Sequence, residues 1–265
     1  MPGIFIEFSR ERYYYNISKK NMKNRLSENI NNIYKRIAHA AMRAGRGPGE
    51  VKLIAVSKNV SASAVREAIE AGMRDFGENR VQEFIAKRGL FARDIDLYSP
   101  EAPFGYRVRW HLIGHLQKNK AKAAVELFDL IHSVDSLELA GLINKFAGNI
   151  GKIQGILVQV KLSDEESKYG ILKEELMDIL DATAVMKNLR VEGLMTIPPF
   201  FDDSEKVRPF FSELREARDR AAAQGFSLIE LSMGMSHDFE VAIQEGATIV
   251  RVGTAIFGER KKETA

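Results

Sequence analysis

The chain has 265 residues, 45% of them hydrophobic and 28% charged, with a formal net charge of +3. That is the composition of an ordinary soluble globular protein, and it excludes disorder and collagen-like repeats. Zero cysteines exclude disulfides, thiolate metal sites and a cysteine nucleophile, and fit a reducing compartment. The 39 basic residues against 36 acidic ones fall short of the clustered positive charge that nucleic-acid binding needs.

No run approaches the ~20 apolar residues of a membrane span. The apolar start Gly3-Ile4-Phe5-Ile6 is broken at once by Glu7, Arg10, Glu11 and Arg12. Residues 1–21 show no helical or alternating period and read as a disordered leader. After Met22, residues Leu26, Ile30, Ile33, Ile37 and Ala41 recur at three- and four-residue spacing, which predicts a helix with one apolar face ending near Gly45. The folded domain is therefore expected over residues 22–265.

Eight short apolar runs follow: 51–57 (VKLIAVS), 74–77 (RDFG), 109–113 (RWHLI), 129–134 (DLIHSV), 155–160 (GILVQV), 190–195 (RVEGLM), 228–232 (LIELS) and 248–252 (TIVRV). Several are apolar at consecutive positions, the pattern of strands covered on both faces. Helical signals lie between them. Ser61 is placed to cap a helix whose Ala64, Val65, Ala68 and Ile69 share a face and whose end Gly72 marks. Val207, Phe210, Phe211, Leu214 and Ala221 trace another apolar stripe. Eight β-then-α units in a chain of this length predict an α/β fold, a single closed (β/α)8 barrel with an extra N-terminal helix. Residues 88–107, with Gly89, Pro100, Pro103 and Gly105, hold too many turn formers for a helix interior and read as a surface insertion before the third strand.

In such a barrel the chemistry sits where strands end at the C-terminal face. Lys58 closes the first run. Partial desolvation there would disfavour its charged form and make a Schiff base chemically reasonable, although a solvated lysine just past a strand fits the same spacing. Phe76-Gly77-Glu78-Asn79 closes the second run, where Asn79 serves equally well as a helix cap. His111 and His115 are four apart, as zinc-binding histidines on a helix are. Gly114 and the apolar residues between them argue against a continuous helix, and no metal is expected.

Ser232-Met233-Gly234-Met235-Ser236 follows the seventh run and leads into a helix near His237 and Asp238, while Arg251-Val252-Gly253-Thr254 closes the eighth. Small residues let backbone N–H groups approach an anion, hydroxyls add donors, and a helix N-terminus favours negative charge. Either loop alone is equally explained as a tight turn with a capping serine. Both together, with a strand-end lysine, point to a phosphorylated aldehyde, and pyridoxal 5'-phosphate is the candidate.

A resemblance then rests on AVSK (55–58), FGENRVQE (76–83), WHLIGHLQKNK (110–120), HSVDS (132–136), SKYG (167–170), GLMTIPP (193–199), LSMGMSHDFEVAI (231–243) and VRVGTAIFG (250–258). From Leu26 to Arg260 the chain resembles the pyridoxal phosphate homeostasis proteins, whose single barrel is similar to the N-terminal domain of alanine racemase. The resemblance implies that Lys58 holds the cofactor as an aldimine, with Ser232, Ser236, Gly253 and Thr254 around its phosphate. It further implies that Arg251 faces the pyridine nitrogen and that Asn79 and Met233 line the cavity. Asn59, where a threonine is more usual, the 88–107 stretch and the residues before Met22 depart from the pattern.

What it implies as a whole is a cytoplasmic, monomeric protein that holds pyridoxal phosphate and delivers it to apo-enzymes without turning over a substrate. Neither nucleic acid nor membrane is expected as a partner. A pyridoxal-phosphate amino-acid racemase is the alternative, followed by a class I aldolase and by a regulatory barrel without ligand. Against the racemase, the opposing tyrosine of alanine racemase comes from a C-terminal β domain that is not expected here. Tyr106 and Tyr169 are then the tyrosines near the mouth.

Overall fold

The computed structural model describes residues 7–91, 107–163, 165 and 169–258, with the side chains of 25–90, 107–163, 165 and 169–258. Helix α1 (Glu7–Arg43) begins well ahead of Met22, where the apolar period starts. The physical reason is that no glycine or proline interrupts the chain between Gly3 and Gly45, so nothing stops the helix at the edge of its amphipathic part. The face read from the sequence is the docking face: Ile30, Ile33, Ile37 and Ala41 are all buried. Gly45, at φ 68°, ends it in the left-handed conformation glycine accepts.

Each of the eight apolar runs overlaps a barrel strand. They are β1 (Lys52–Val56), β2 (Asp75–Glu78), β3 (Arg109–Leu112), β4 (Leu130–Val134), β5 (Gln154–Lys161), β7 (Leu189–Met195), β8 (Glu230–Ser232) and β9 (Ile249–Val252). A further two-residue strand, β6 (Ile171–Leu172), pairs with the end of β5. The order β4-β3-β2-β1-β9-β8-β7-β5 is parallel throughout, and the β4–β5 pairing closes the ring. Each barrel strand leads into a helix: α2 (Ala62–Glu70), α3 (Val81–Phe91), α4 (Ala121–Leu127), α5 (Leu137–Asn149), α6 (Leu176–Ala184), α7 (Arg208–Ala223), α8 (Phe239–Gln244) and α9 (Thr254–Phe257).

Local chemistry explains several boundaries. Ser61 Oγ accepts a hydrogen bond from Ala64 N at 3.3 Å and caps α2, and Gly72 follows its end at φ 102°. α3 runs through Gly89 to Phe91, so the start of the 88–107 stretch is helical rather than loop. Nothing lies within 4 Å of a Cβ built on Gly89, and an exposed helical glycine costs only ~1 kcal/mol. The rest of that stretch, 92–106, lies outside the described residues.

Strand alternation sorts the core into two layers. Ile54, Leu130, Leu157, Met195 and Ile249 fill the ring. Their neighbours in sequence, such as Leu53 and Ala55, join the larger layer between ring and helices. There Phe84 packs on Trp110 and Phe128, with centroids 4.5 and 4.9 Å away. Each such buried side chain contributes roughly 1.5–3 kcal/mol. Charges occupy the N-terminal ends of the strands: Lys52 pairs with Glu230 at 3.2 Å, Arg109 with Asp75 at 2.8 Å, and Arg190 with Glu192 at 2.7 Å. No helix among the described residues is long and apolar enough to cross a membrane.

Candidate functional site

Because β2, β1, β9 and β8 are consecutive neighbours, their C-terminal ends bring Asn79, Lys58, Arg251–Thr254 and Ser232–Ser236 along one arc of the rim. Lys58 is half-buried in a four-residue turn in which Val60 N donates to Ser57 O at 3.0 Å. The third residue of that turn, Asn59, has φ 55°. Asparagine enters this left-handed region far more readily than a β-branched residue does, which suits it to the position where threonine was the expectation. Asn79 lies one strand away, and the loop after β3 packs against its backbone. A Cβ on Gly114 would come within 2.4 Å of Asn79 O, so only glycine permits that approach.

The loops after β8 and β9 are built into each other. Gly234, at φ 92°, turns the first loop so closely that a Cβ would lie 2.6 Å from Ala242 Cβ and 2.9 Å from Phe239 Cα. Asp238 Oδ1 accepts from Met235 N at 2.6 Å and ties the loop to the start of α8. Burial raises the Asp238 carboxyl against the pull of that bond and of Arg251. Across the loops, Arg251 N donates to Gly234 O at 3.0 Å and Gly253 N to Ser236 Oγ at 3.2 Å. Ser236 and Gly253 are thus bonded to each other, and the exposed Thr254 follows at the start of α9.

Two of the expected site residues lie elsewhere. Ser232 is fully buried and belongs to β8 itself, so alternation turns it inward, below Ser236. Its hydroxyl sits 2.6 Å from Arg251 Nη1 and 2.9 Å from His132 Nδ1. Met233, the next residue, points the other way and is buried in the layer between ring and helices rather than lining the cavity.

Arg251 is held by three bonds. Nη1 donates to Ser232 O at 2.7 Å as well as to Oγ, and Nη2 donates to Thr196 O at 2.9 Å, leaving Nε outside these bonds. Burial pulls its pKa down to about 10, which keeps it charged at neutral pH. Beyond Ser232 the bonds continue through the ring: His132 Nε2 lies 3.0 Å from His111 Nδ1, and His111 Nε2 lies 2.9 Å from Asp75 Oδ1. Their directions follow from the Asp75 carboxylate, which only accepts, so His111 donates to it from Nε2. With His111 Nδ1 accepting, His132 donates to it from Nε2, and His132 Nδ1 is left to accept the Ser232 hydroxyl proton. Every partner is used in this arrangement, and His132 is neutral. Burial first, then the nearby His111, Arg251 and Lys52, hold His132 well below the usual imidazole range. Burial raises Asp75, but His111 and Arg109 outweigh it and leave the carboxyl below its ordinary value.

Sequence reasoning missed Asp75, His132 and Thr196 as members of this chain of bonds. The signal was the inward face: Asp75 is in register with Arg109 and Gly77 with His111. His111 and His115 separate. His115 Nδ1 lies 3.1 Å from Asp135 Oδ2, and its ring stacks on Tyr169 at 3.7 Å and 13°. Among the described residues no three His, Cys, Asp or Glu side chains gather to hold a metal.

Comparisons with known proteins identify the family. Residues 27–261 match the family model of the alanine racemase N-terminal domain. A pyridoxal phosphate homeostasis protein of Aquifex aeolicus is 45% identical over 235 residues, covering 88% of this chain and 98% of its own. The chain belongs to the pyridoxal phosphate homeostasis protein family. Its Escherichia coli K12 member is 41% identical over 243 residues, covering 89% of this chain and 97% of its own. PipY of Synechococcus elongatus, solved with pyridoxal phosphate bound, superposes with a TM-score of 0.72 at 40% identity, covering 85% of this chain and 100% of PipY. Alanine racemase of Clostridium difficile shares the fold, with a TM-score of 0.63 at 16% identity over 91% of this chain and 58% of that enzyme.

Proposed function

We propose that this barrel binds pyridoxal 5'-phosphate reversibly at the rim formed by β2, β1, β9 and β8. The carrying observation is that neighbouring strand ends place one amine, a hydroxyl-and-amide cup and a buried guanidinium on a single arc. These donors suit the group, which has an aldehyde, a phosphate and a ring nitrogen. When bound, it supplies an aldehyde that condenses with an amine. Lys58 offers that amine. Ser236, Gly253 and Thr254 hold the phosphate, and Arg251, through the Nε left outside its bonds to Ser232 and Thr196, faces the pyridine nitrogen. Ser232 acts on the cofactor through Arg251 rather than by touching the phosphate, and Asn79 lines the cavity.

The role that fits is a cytoplasmic, monomeric carrier that holds the cofactor and yields it to apo-enzymes. Racemisation needs a proton donor or acceptor on each face of the substrate α-carbon. Lys58 serves one face, while the ring of Tyr169 lies flat on His115. Tyr106 lies outside the described residues.

Purified protein should absorb as a lysine-bound pyridoxal, and borohydride should fix a pyridoxyl adduct on Lys58. Lys58→Ala should lose the chromophore. An adduct surviving on another lysine would overturn the assignment, and a colourless protein after incubation with the cofactor would favour the aldolase. Incubation with L-amino acids in deuterated water should give no accumulation of D-isomer. Sustained turnover that disappears in Lys58→Ala would replace the carrier by the racemase.

A further inference from the structure

We infer that Glu83 and Lys87, one turn apart on α3, are positioning residues for Lys58, gripping the backbone of its turn on both sides. This inference rests on the cofactor reading above and deepens it.

The geometry is local and specific. Lys87 is buried, with its side chain 7% exposed, and its Nζ donates to Ser57 O at 2.6 Å. Glu83 Oε1 accepts from Asn59 N. The two atoms held are the carbonyl just before Lys58 and the amide just after it. Lys87 Nζ also donates to Glu78 Oε1 at 2.6 Å, and that same oxygen accepts from Ser57 Oγ at 2.7 Å. Glu78 belongs to β2, so the residue before Lys58 is fastened by both its carbonyl and its hydroxyl to the second βα unit. Glu83 and Lys87 are themselves 3.5 Å apart.

The backbone pairing of the ring does not run through these bonds. The β1–β2 pairing is carried by the strand register of Ala55 with Phe76 and Val56 with Gly77, and by Ser57 N donating to Gly77 O at 2.9 Å. A buried ion pair such as Glu78–Lys87 is moreover weak as a source of stability, since apolar replacements often do as well. What it provides is direction. Lys58 ends a long, flexible side chain, and its reach to an aldehyde depends on where its Cα is held. The turn has a left-handed residue at Asn59, a conformation that persists when its surroundings impose it. Glu83 and Lys87 impose it from α3. The step they serve is simple condensation: the amine nitrogen bonds to the aldehyde carbon, and the aldehyde oxygen leaves as water with two protons from nitrogen.

The test separates condensation from docking by using two ligands. Pyridoxal phosphate reports both; pyridoxine 5'-phosphate carries an alcohol in place of the aldehyde and reports docking alone. Glu83→Ala removes the acceptor at Asn59 N from a helix position that tolerates alanine. It should weaken pyridoxal phosphate binding about tenfold, the scale of one charge-assisted hydrogen bond, and slow trapping of Lys58 by borohydride. Pyridoxine phosphate should bind within about twofold of the parent. Glu83→Gln keeps an acceptor and should restore most of the difference. The double variant Glu78→Gln, Lys87→Met removes both buried charges together, leaves neither uncompensated, and should show the same split. Parallel weakening of both ligands, or no change in either, would overturn the inference. If the unaltered protein binds pyridoxine phosphate but never traps the aldehyde on Lys58, the cofactor reading itself fails.

Discussion

His132 shows how one buried residue links the site to solution conditions. The unfolded chain protonates this imidazole below about pH 6.5, whereas the folded site, through burial and the charges of Arg251 and Lys52, resists protonation well below that value. Between the two the unfolded state binds more protons, so stability falls as the pH drops from about 6.5, by up to ~1.4 kcal/mol per unit. Asp75 acts in a lower window. Its depressed carboxyl stabilises the fold above the ordinary carboxylate value and loses that contribution as the pH falls through the folded value. His132→Gln keeps a donor and an acceptor but cannot titrate. Urea unfolding at pH 7.5, 6.5, 5.5 and 5.0, conditions set by the experiment and spaced about one unit or less, should find the variant's stability deficit shrinking toward acid. A deficit constant over that range would show that His132 does not govern the acid limb.

At the scale of elements, the eight strands were legible because strands buried on both faces read as apolar runs, and the loops after β8 and β9 were legible because glycine and serine cluster there. What escaped has physical causes. β6 is two residues long and has no periodicity to detect. The start of α1 is decided by missing helix breakers rather than by an apolar face. The resemblance puts Ser232 at the phosphate and Met233 in the cavity wall, whereas alternation at the end of β8 turns Ser232 into the ring and Met233 into the layer outside it. Gly234 belongs to the legible class and carries a prediction. Ala at this position would meet Ala242 and Phe239 at under 3 Å in a left-handed backbone, so Gly234→Ala should distort the loop at a cost of roughly 1–3 kcal/mol. Unlike Glu83→Ala, it should weaken pyridoxal phosphate and pyridoxine phosphate together, about tenfold or more in a binding titration, because the phosphate cup is what both share. Equal loss for the two ligands supports the cup; loss for the aldehyde alone would place the phosphate elsewhere.

Over the whole molecule, α1 precedes the repeating units and braces the two helices that follow the loops proposed to hold the phosphate. Asn29 Nδ2 donates to Ile256 O at 2.9 Å, reaching α9. Arg36 makes a two-pronged bond to Glu240 of α8 at 2.9 and 2.8 Å and lies over the Phe239 ring at 4.6 Å. With Ile30, Ile33, Ile37 and Ala41 buried beneath them, these contacts hold the cup from behind. Among the described side chains the docked part of α1 begins at Leu26, which packs on the core. A chain beginning at Met22 keeps all of these anchors. We therefore propose that residues 1–21 are dispensable for the barrel, although the backbone is helical from Glu7. Most helical stability in proteins comes from packing an amphipathic face, and the apolar period of α1 starts only after Met22. The shortened chain should melt within about 3 °C of the full one, a shift equivalent to roughly 1 kcal/mol for a domain of this size, and bind pyridoxal phosphate equally well. Ile33→Ala should instead cost about 2–5 kcal/mol as a buried truncation. A larger drop on removing 1–21, with weaker phosphate binding alongside it, would mean that the first turns of α1 brace the cup as Leu26 to Ala41 do.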